Sequence, residues 1–252
     1  MSWNRQVRAT ISRFAAAERP PPADTGLAAI GLRPVLQTGG AGRDSLAPMG
    51  LTTALLTPGA WKDVETLFGP RGACAGCWCM FWRLERGERF DALKGEALKR
   101  RFRTGVLDGH IQGVLAYSDG EPVGWATFGP RTSFARLQRS PSLACDDAER
   151  VWSVPCFFVR RDYRGQGVSR VLLDAALAEM RRQGVGLVEG YPVKLPASGA
   201  SIPAAFAYTG TRSLFAGGGF EPAPGAGTHS RQRVRRKLRP ESGRGRGRFA
   251  RR

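Results

Sequence analysis

A basic turn with two glycines, Arg164-Gly165-Gln166-Gly167-Val168-Ser169, sits between an apolar run at 151–159 and a segment with apolar residues at Val168, Val171, Leu172 and Ala175. The first run reads as a strand. The second has the one-face spacing of a helix, ending at Gly184. Glycines in such a turn remove side chains, so successive backbone N–H groups can close around an anion. The helix that follows presents its positive dipole end and its unpaired N–H groups at the same place. Physically this is a pyrophosphate cradle between a strand and a helix. It lacks the Gly-x-x-x-x-Gly-Lys-Ser/Thr order of an ATPase loop and the three-glycine dinucleotide fingerprint. The bland alternative is a tight strand-to-helix turn with no ligand.

Charge alone invites a nucleic-acid reading, since the 252 residues carry a net +18. The distribution weakens it. Residues 230–252 hold eleven Lys/Arg against one Glu, residues 1–48 hold six Arg against three acids, and the stretch between them carries only about +5. The segment 239–252, rich in Arg and Gly, cannot build a core and is expected to be a disordered tail, with weak non-specific polyanion binding as its only inferred partner interaction. No stretch has the uninterrupted apolar length of a membrane span, and the start lacks the apolar region of a secretory signal. Five cysteines, with no framework of paired spacings, fit a reduced, cytoplasmic setting.

Residues 1–48, with Pro20-Pro21-Pro22 and Gly39-Gly40, read as a flexible extension, and 49–238 as one folded domain. Within it the patterns predict a strand at 51–56 and a helix at 57–67 with Thr57 and Pro58 at its start. A second helix is expected at 91–103. A hairpin follows, with strands at 113–117 and 123–128 joined by Asp119-Gly120. Residues 130–150 read as a long polar loop with a short helical piece. The central strand, the motif helix, a strand at 185–191, a short helix at 211–216 and a last strand at 232–238 complete the order.

The turn resembles the acyl-CoA-binding motif of the GNAT N-acetyltransferase superfamily, Arg/Gln-x-x-Gly-x-Gly/Ala, with Ser169 in place of the last Gly or Ala. The element order over about 51–238 is similar to that family's, as are Glu121-Pro122-Val123-Gly124-Trp125 and Leu214-Phe215-Ala216-Gly217-Gly218-Gly219-Phe220. With Cys77-Trp78-Cys79-Met80-Phe81-Trp82-Arg83 and Glu189-Gly190-Tyr191-Pro192, the chain looks like a bacterial branch of the family. The resemblance implies a mixed α/β fold, a central and mostly antiparallel sheet with a splayed strand pair, flanked by helices. It implies acetyl-CoA as cosubstrate, with no metal, and direct transfer of acetyl to the primary amine of a small-molecule acceptor. The backbone of Phe157, Phe158 and Val159 would pair with the pantetheine arm. The N–H groups of Gly165, Gln166, Gly167, Val168 and Ser169, with the charge of Arg164, would hold the diphosphate.

The catalytic groups are less well marked. The family's tyrosine that protonates the leaving thiolate falls on Phe215, and a strand glutamate found in some members falls near Ser153. Glu189 is the candidate base, weighed evenly against a rim salt bridge, and Tyr208 or Tyr191 the candidate acid. Asp146, Asp147 and Glu149 form an acidic group in the preceding loop. Cys74, Cys77 and Cys79, with Cys145 as a conceivable fourth ligand, are weighed as a zinc site and set behind buried free thiols; His110 and His229 show no ligand spacing. Trp78, Trp82, Phe134 and Trp152 are expected to make the acceptor pocket aromatic, favouring a small or apolar amine. Two other classes stay open, an acyl-CoA-binding sensor with little turnover and a nucleic-acid-associated protein acting through its tail. A homodimer is also left open.

Overall fold

The computed structural model describes residues 50–193, 204–224 and 231–239. The expectations placed on residues 1–48 and on the tail from 240 onward lie outside them. Among the described residues seven strands form one sheet: β1 (Leu51–Leu55), β2 (Gln112–Ser118), β3 (Glu121–Pro130), β4 (Trp152–Val159), β5 (Leu187–Gly190), β6 (Glu221–Pro222) and β7 (Val234–Lys237). Their order is β1-β2-β3-β4-β5-β7-β6. Every pairing is antiparallel except β4 with β5, which is parallel. The mixed α/β, mostly antiparallel sheet matches the expectation.

Local chemistry explains the elements. Asp119 (φ 49°) and Gly120 (φ 81°) both take the left-handed conformation that a two-residue hairpin needs, which sets Ser118 opposite Glu121. Helix α1 (Trp61–Phe68) buries Val64, Leu67 and Phe68, and the long α3 (Glu96–Leu107) buries Leu98, Phe102 and Val106, each at one-face spacing. A short α2 (Phe90–Leu93) precedes α3. Helix α4 (Ala135–Gln138) lies in the excursion between β3 and β4; α5 (Val168–Arg182) follows the glycine turn; α6 (Arg212–Gly217) follows β5.

The sheet separates two cores. On one face α5 packs through Leu172, Leu173, Ala176 and Met180 against Val114, Ala126, Val154 and Phe157. On the other, α1 and α3 cover Leu115 and Trp125, with Cys156 and Phe158 at the margin. Alternation along β4 therefore sends Phe157 toward α5 and Cys156 and Phe158 the other way.

Several boundaries differ from the sequence reading, for identifiable reasons. The helix expected at 57–67 opens as a 3-10 turn, Pro58–Ala60, and Thr57 is extended without a side-chain cap. The helix expected at 91–103 is split. Gly95 (φ 87°) turns its N–H out of the helix to donate to Gly76 O at 2.8 Å, tying the loop at 70–79 to α3. The strand expected from 185 starts at Leu187, because Val185 N still donates to Met180 O at 2.9 Å in closing α5. The loop at 130–150 is ordered into α4 and three 3-10 turns, Arg131–Ser133, Pro141–Leu143 and Ala148–Arg150. The 3-10 helix Ala204–Thr209 and β6 were not anticipated.

Gly190 offers a test of the packing at the end of β5. A methyl there would drive into the Phe215 ring, which is held edge-on by Phe157 and Phe220 at 6.1 and 5.0 Å. Gly190→Ala should lower the unfolding free energy by about 1–3 kcal/mol in urea titrations. Adding Phe215→Leu should recover part of that loss, so that the double variant is more stable than the sum of the singles predicts.

Candidate functional site

β4 has a complete neighbour on one side only. β3 accompanies it to Val159, but β5 pairs with it at Trp152, Ser153 and Val154 alone. Past Gly190 the chain departs, with Val193 bridging to Thr211 and Arg231. Among the described residues no strand pairs with 155–159 on the β5 side, and the 3-10 helix Ala204–Thr209 packs there instead. The strand pair is thus splayed, and the backbone of Phe157 and Phe158 has no strand partner on that side, while Val159 O accepts from Arg164 Nε. The Phe157 and Phe158 side chains are committed elsewhere, Phe157 to Phe215 and Phe158 edge-on to Phe68 at 5.6 Å. Only their backbone is available to a ligand.

A 3-10 turn, Arg161–Tyr163, leads from β4 to the glycines. Gly165 (φ 76°) and Gly167 (φ 80°) both lie in the left-handed region, which a side chain would strain. Gly167 is the N-cap of the 15-residue α5, its carbonyl accepting from Arg170 N and Val171 N at 2.8 and 3.2 Å. None of the five N–H groups from Gly165 to Ser169 donates a hydrogen bond within the described residues. Arg164 and Gln166 brace the turn, Arg164 Nε donating to Val159 O at 3.1 Å and Gln166 Nε2 to Asp162 O at 2.8 Å. The start of α5 is pressed on β3, where a methyl on Gly124 would fall 2.6 Å from Val168 Cγ1. The turn is exposed, and a methyl on Gly165 would meet nothing within 4 Å, so space for a diphosphate exists above it.

Glu189 stands differently from its reading as a base. It is fully buried on β5 opposite Ser153. Arg131 Nε donates to its Oε1 at 3.1 Å, and Arg233 Nη1 and Arg235 Nε donate to its Oε2 at 3.2 and 2.7 Å. Arg131, also fully buried, spends its other nitrogens on Gln138 Oε1 and on the carbonyls of Leu137 and Leu143. Both oxygens are occupied by guanidinium groups, so Glu189 stands in the salt-bridged arrangement that was the alternative to a base, buried rather than at a rim. Asp147 belongs to the same network. It accepts from Arg235 at 2.7 and 2.8 Å, which holds its carboxyl below the usual range.

Tyr191 is likewise engaged within the protein. It is fully buried, its hydroxyl 2.7 Å from Ser153 Oγ, and burial with the nearby Glu189 charge pushes its phenol well above the ordinary value. Phe215 is a core residue, enclosed by Phe157, Phe220 and Gly190, where a tyrosine hydroxyl would be buried.

Tyr208 does reach the splayed region. It packs with Cys156, Phe81 and Trp82, the two rings at 6.2 and 6.3 Å, under the guanidinium of Arg231 at 5.2 Å. Burial raises its phenol to about 12. Opposite it runs the loop at 72–80, in which Ala73, Ala75, Trp78 and Cys79 all have positive φ. Trp125 Nε1–H donates to Cys79 Sγ at 3.1 Å. Hydrogen bonding from Cys156, aided by Trp125, pulls the Cys79 thiol down, while serving as donor and being buried push Cys156 well up. All five cysteines are free thiols, and no group of three metal-binding side chains is assembled among the described residues.

Of the four aromatics assigned to the acceptor pocket, only Trp82 lies beside Tyr208. Trp78 is buried against Trp61 and Phe68, Trp152 stacks on Phe128, and Phe134 is fully buried beneath Arg83. The sequence reading missed Arg83 and Arg136, whose guanidinium groups lie over the Phe134 and Phe81 rings. The Arg-x-x-Arg spacing at 83–86 and the arginines of the 130–150 loop were the only available signal.

A splayed parallel pair with a glycine turn at the head of a long helix is the arrangement that the sequence resemblance implies. The family model described as acetyltransferase (GNAT) family matches residues 78–191. That match places residues 78–191 in the GNAT acetyltransferase family. Similar solved structures include PaiA N-acetyltransferase from Thermoplasma acidophilum in complex with coenzyme A, at 12% identity over 75% of this chain and 100% of that one, TM-score 0.43. YncA from Salmonella typhimurium with acetyl-CoA is 16% identical over 77% and 97%, TM-score 0.43. The GNAT domain of S. lividans PAT is 13% identical over 74% and 89%, TM-score 0.45. A comparison with curated proteins gives no match. No helix among the described residues is long and apolar enough to cross a membrane.

The standing of Glu189 is testable. Glu189→Gln should destabilise the fold by about 3–5 kcal/mol, because three guanidinium groups lose their buried counter-charge. Denaturant midpoints measure this. A variant of unchanged stability with a large loss of turnover would instead return Glu189 to the role of base.

Proposed function

We propose that this chain is an acetyl-CoA-dependent N-acetyltransferase acting on the primary amine of a small acceptor. The observation that carries the reading is the set of five uncommitted N–H groups at Gly165–Ser169, at the head of α5 and beside the open edge of β4. When bound, acetyl-CoA supplies the activated acetyl group. The N–H groups of Gly165, Gln166, Gly167, Val168 and Ser169 hold its diphosphate, with Arg164 adding charge. The backbone of Phe157, Phe158 and Val159 pairs with the pantetheine arm as a missing strand would.

Tyr208 is the group best placed to serve the leaving sulfur. With its phenol raised to about 12 it remains protonated across the working range. An ordinary thiol ionises near about 8.5, so full proton transfer from Tyr208 to a thiolate is uphill. Its role is to donate a hydrogen bond as negative charge develops. Because Glu189 is occupied, the acceptor amine gives up its proton to solvent before attack. An acyl-CoA-binding sensor with little turnover is the second reading, favoured by the core position of Phe215 and the engagement of Glu189. Release of CoA in the presence of an amine panel separates the two.

Two measurements test the transferase reading. Calorimetric titration of acetyl-CoA into the full chain should give micromolar binding. Gly167→Glu, which puts bulk and negative charge into the cradle, should weaken it by about a hundredfold or more while leaving the protein folded. In pH–rate profiles kcat/KM should rise as the acceptor ammonium deprotonates, then stay level to about pH 11, since the protonated form of Tyr208 is lost only near its raised value. Tyr208→Phe should lower kcat about tenfold or more at every pH on that plateau.

A further inference from the structure

Two buried donors in the described residues have no hydrogen-bond partner, Trp82 Nε1 and Arg83 Nε. They are consecutive, on the 3-10 turn Phe81–Arg83 that forms the wall facing Tyr208. A buried donor left without a hydrogen bond is costly, so two on consecutive residues mark a place where something else is received.

The charge around them points to what that is. Arg83 makes hydrogen bonds only from Nη1, to Ser133 O and Oγ, both at 3.2 Å, and lies 4.2 Å from the Phe134 ring centroid. No carboxylate among the described residues pairs with it, and burial lowers its guanidinium to about 10. Arg136, on α4, lies 4.2 Å over the Phe81 ring and has no ion pair or hydrogen bond among the described residues. Its helix packs on the Phe81–Arg83 turn. The contrast with the neighbouring network is sharp. Buried Arg131, Arg233 and Arg235 are matched to Glu189 and Asp147. Arg83 and Arg136 are held by aromatic faces and pair with no carboxylate among the described residues; the Cys79 thiol is the acidic group that acts on Arg83. The Nε–H edge of a guanidinium is half of the fork that takes a carboxylate bidentately.

Resting on the transferase reading above, we propose that the acceptor is an amine bearing a carboxylate, as in an α-amino acid. Arg83 Nε–H and Trp82 Nε1–H receive the carboxylate, and Arg136 supplies a second positive charge. These three are specificity residues. They orient the acceptor so that its amine faces the gap between β4 and β5, and they take no part in the proton transfers.

The test uses alanine, leucine and phenylalanine, each beside its own carboxamide, with the full-length protein and acetyl-CoA. CoA release should favour the acids over the amides by about tenfold or more in kcat/KM, expressed mainly in KM. In Trp82→Phe, which keeps the ring and loses the donor, and in Arg136→Gln, that ratio should fall toward one. Acetyl-CoA affinity should stay unchanged in both, which guards against a merely unfolded variant. Acids and amides turning over equally in the wild type would overturn this inference and leave the transferase standing. CoA release with none of the amines would overturn the transferase reading. Calorimetry of the same acids against the CoA-saturated protein then decides the carboxylate site on its own: binding lost in Arg136→Gln supports it, and no binding of any acid overturns it.

Discussion

A full negative charge buried on β5 sets the conditions that the surrounding chain meets. Glu189 has no access to water, so its stability depends on donors brought by other segments. They come from three directions: Arg131 from the end of β3, Arg233 from just before β7, and Arg235 from within β7. Arg131 in turn gathers the carbonyls of Leu137 and Leu143, which is why a stretch of 21 polar-looking residues between β3 and β4 is ordered. The parallel pairing of β4 and β5 is fastened at this point and stops one residue later, at Gly190. The gap between β4 and β5 begins where the charge network ends.

The strand beside that gap divides its labour by alternation. Phe157 faces α5 and secures the core beneath the cradle, while Cys156 and Phe158 face the wall made by the loop at 72–80. The backbone between them keeps its hydrogen-bonding capacity on one edge. A site built from main-chain groups tolerates wide variation in side chains, which accounts for a motif in which only the turn is recognisable.

Much of the fold could be read from the chain because its determinants are local. The Asp-Gly hairpin, the one-face helices and the glycine turn each carry their cause within a few residues. The same holds for the short helix at 212, where Thr211 Oγ1 accepts from Leu214 N at 3.2 Å. What was not legible depended on distant partners. Gly95 breaks a helix to meet Gly76, 19 positions earlier. Glu189 reads as a strand carboxylate with a purpose, and its purpose became clear only with arginines 44 to 58 positions away. Trp78 and Trp152 were assigned to the acceptor pocket on composition, yet composition cannot tell which face of which core an aromatic ring will join. Arg83 and Arg136 are not distinguishable in the sequence from solvated arginines, because the aromatic rings that hold them, Phe134 for Arg83 and Phe81 for Arg136, lie 51 and 55 positions away.

The loop at 72–80 places two demands on the same positions that no single residue type meets. Its backbone at Ala73, Ala75, Trp78 and Cys79 is left-handed, a conformation that costs a residue with a Cβ roughly 1–2 kcal/mol. Glycine would relieve that cost at position 78, but it would vacate the space that the indole fills against Trp61 and Phe68, and at 79 it would remove the sulfur that accepts from Trp125. Packing and polar contact have prevailed over backbone preference at both. Drift is therefore blocked at both sites: glycine at 78 leaves a hole that no other side chain fills as fully as tryptophan, and glycine at 79 leaves the Trp125 N–H without its acceptor.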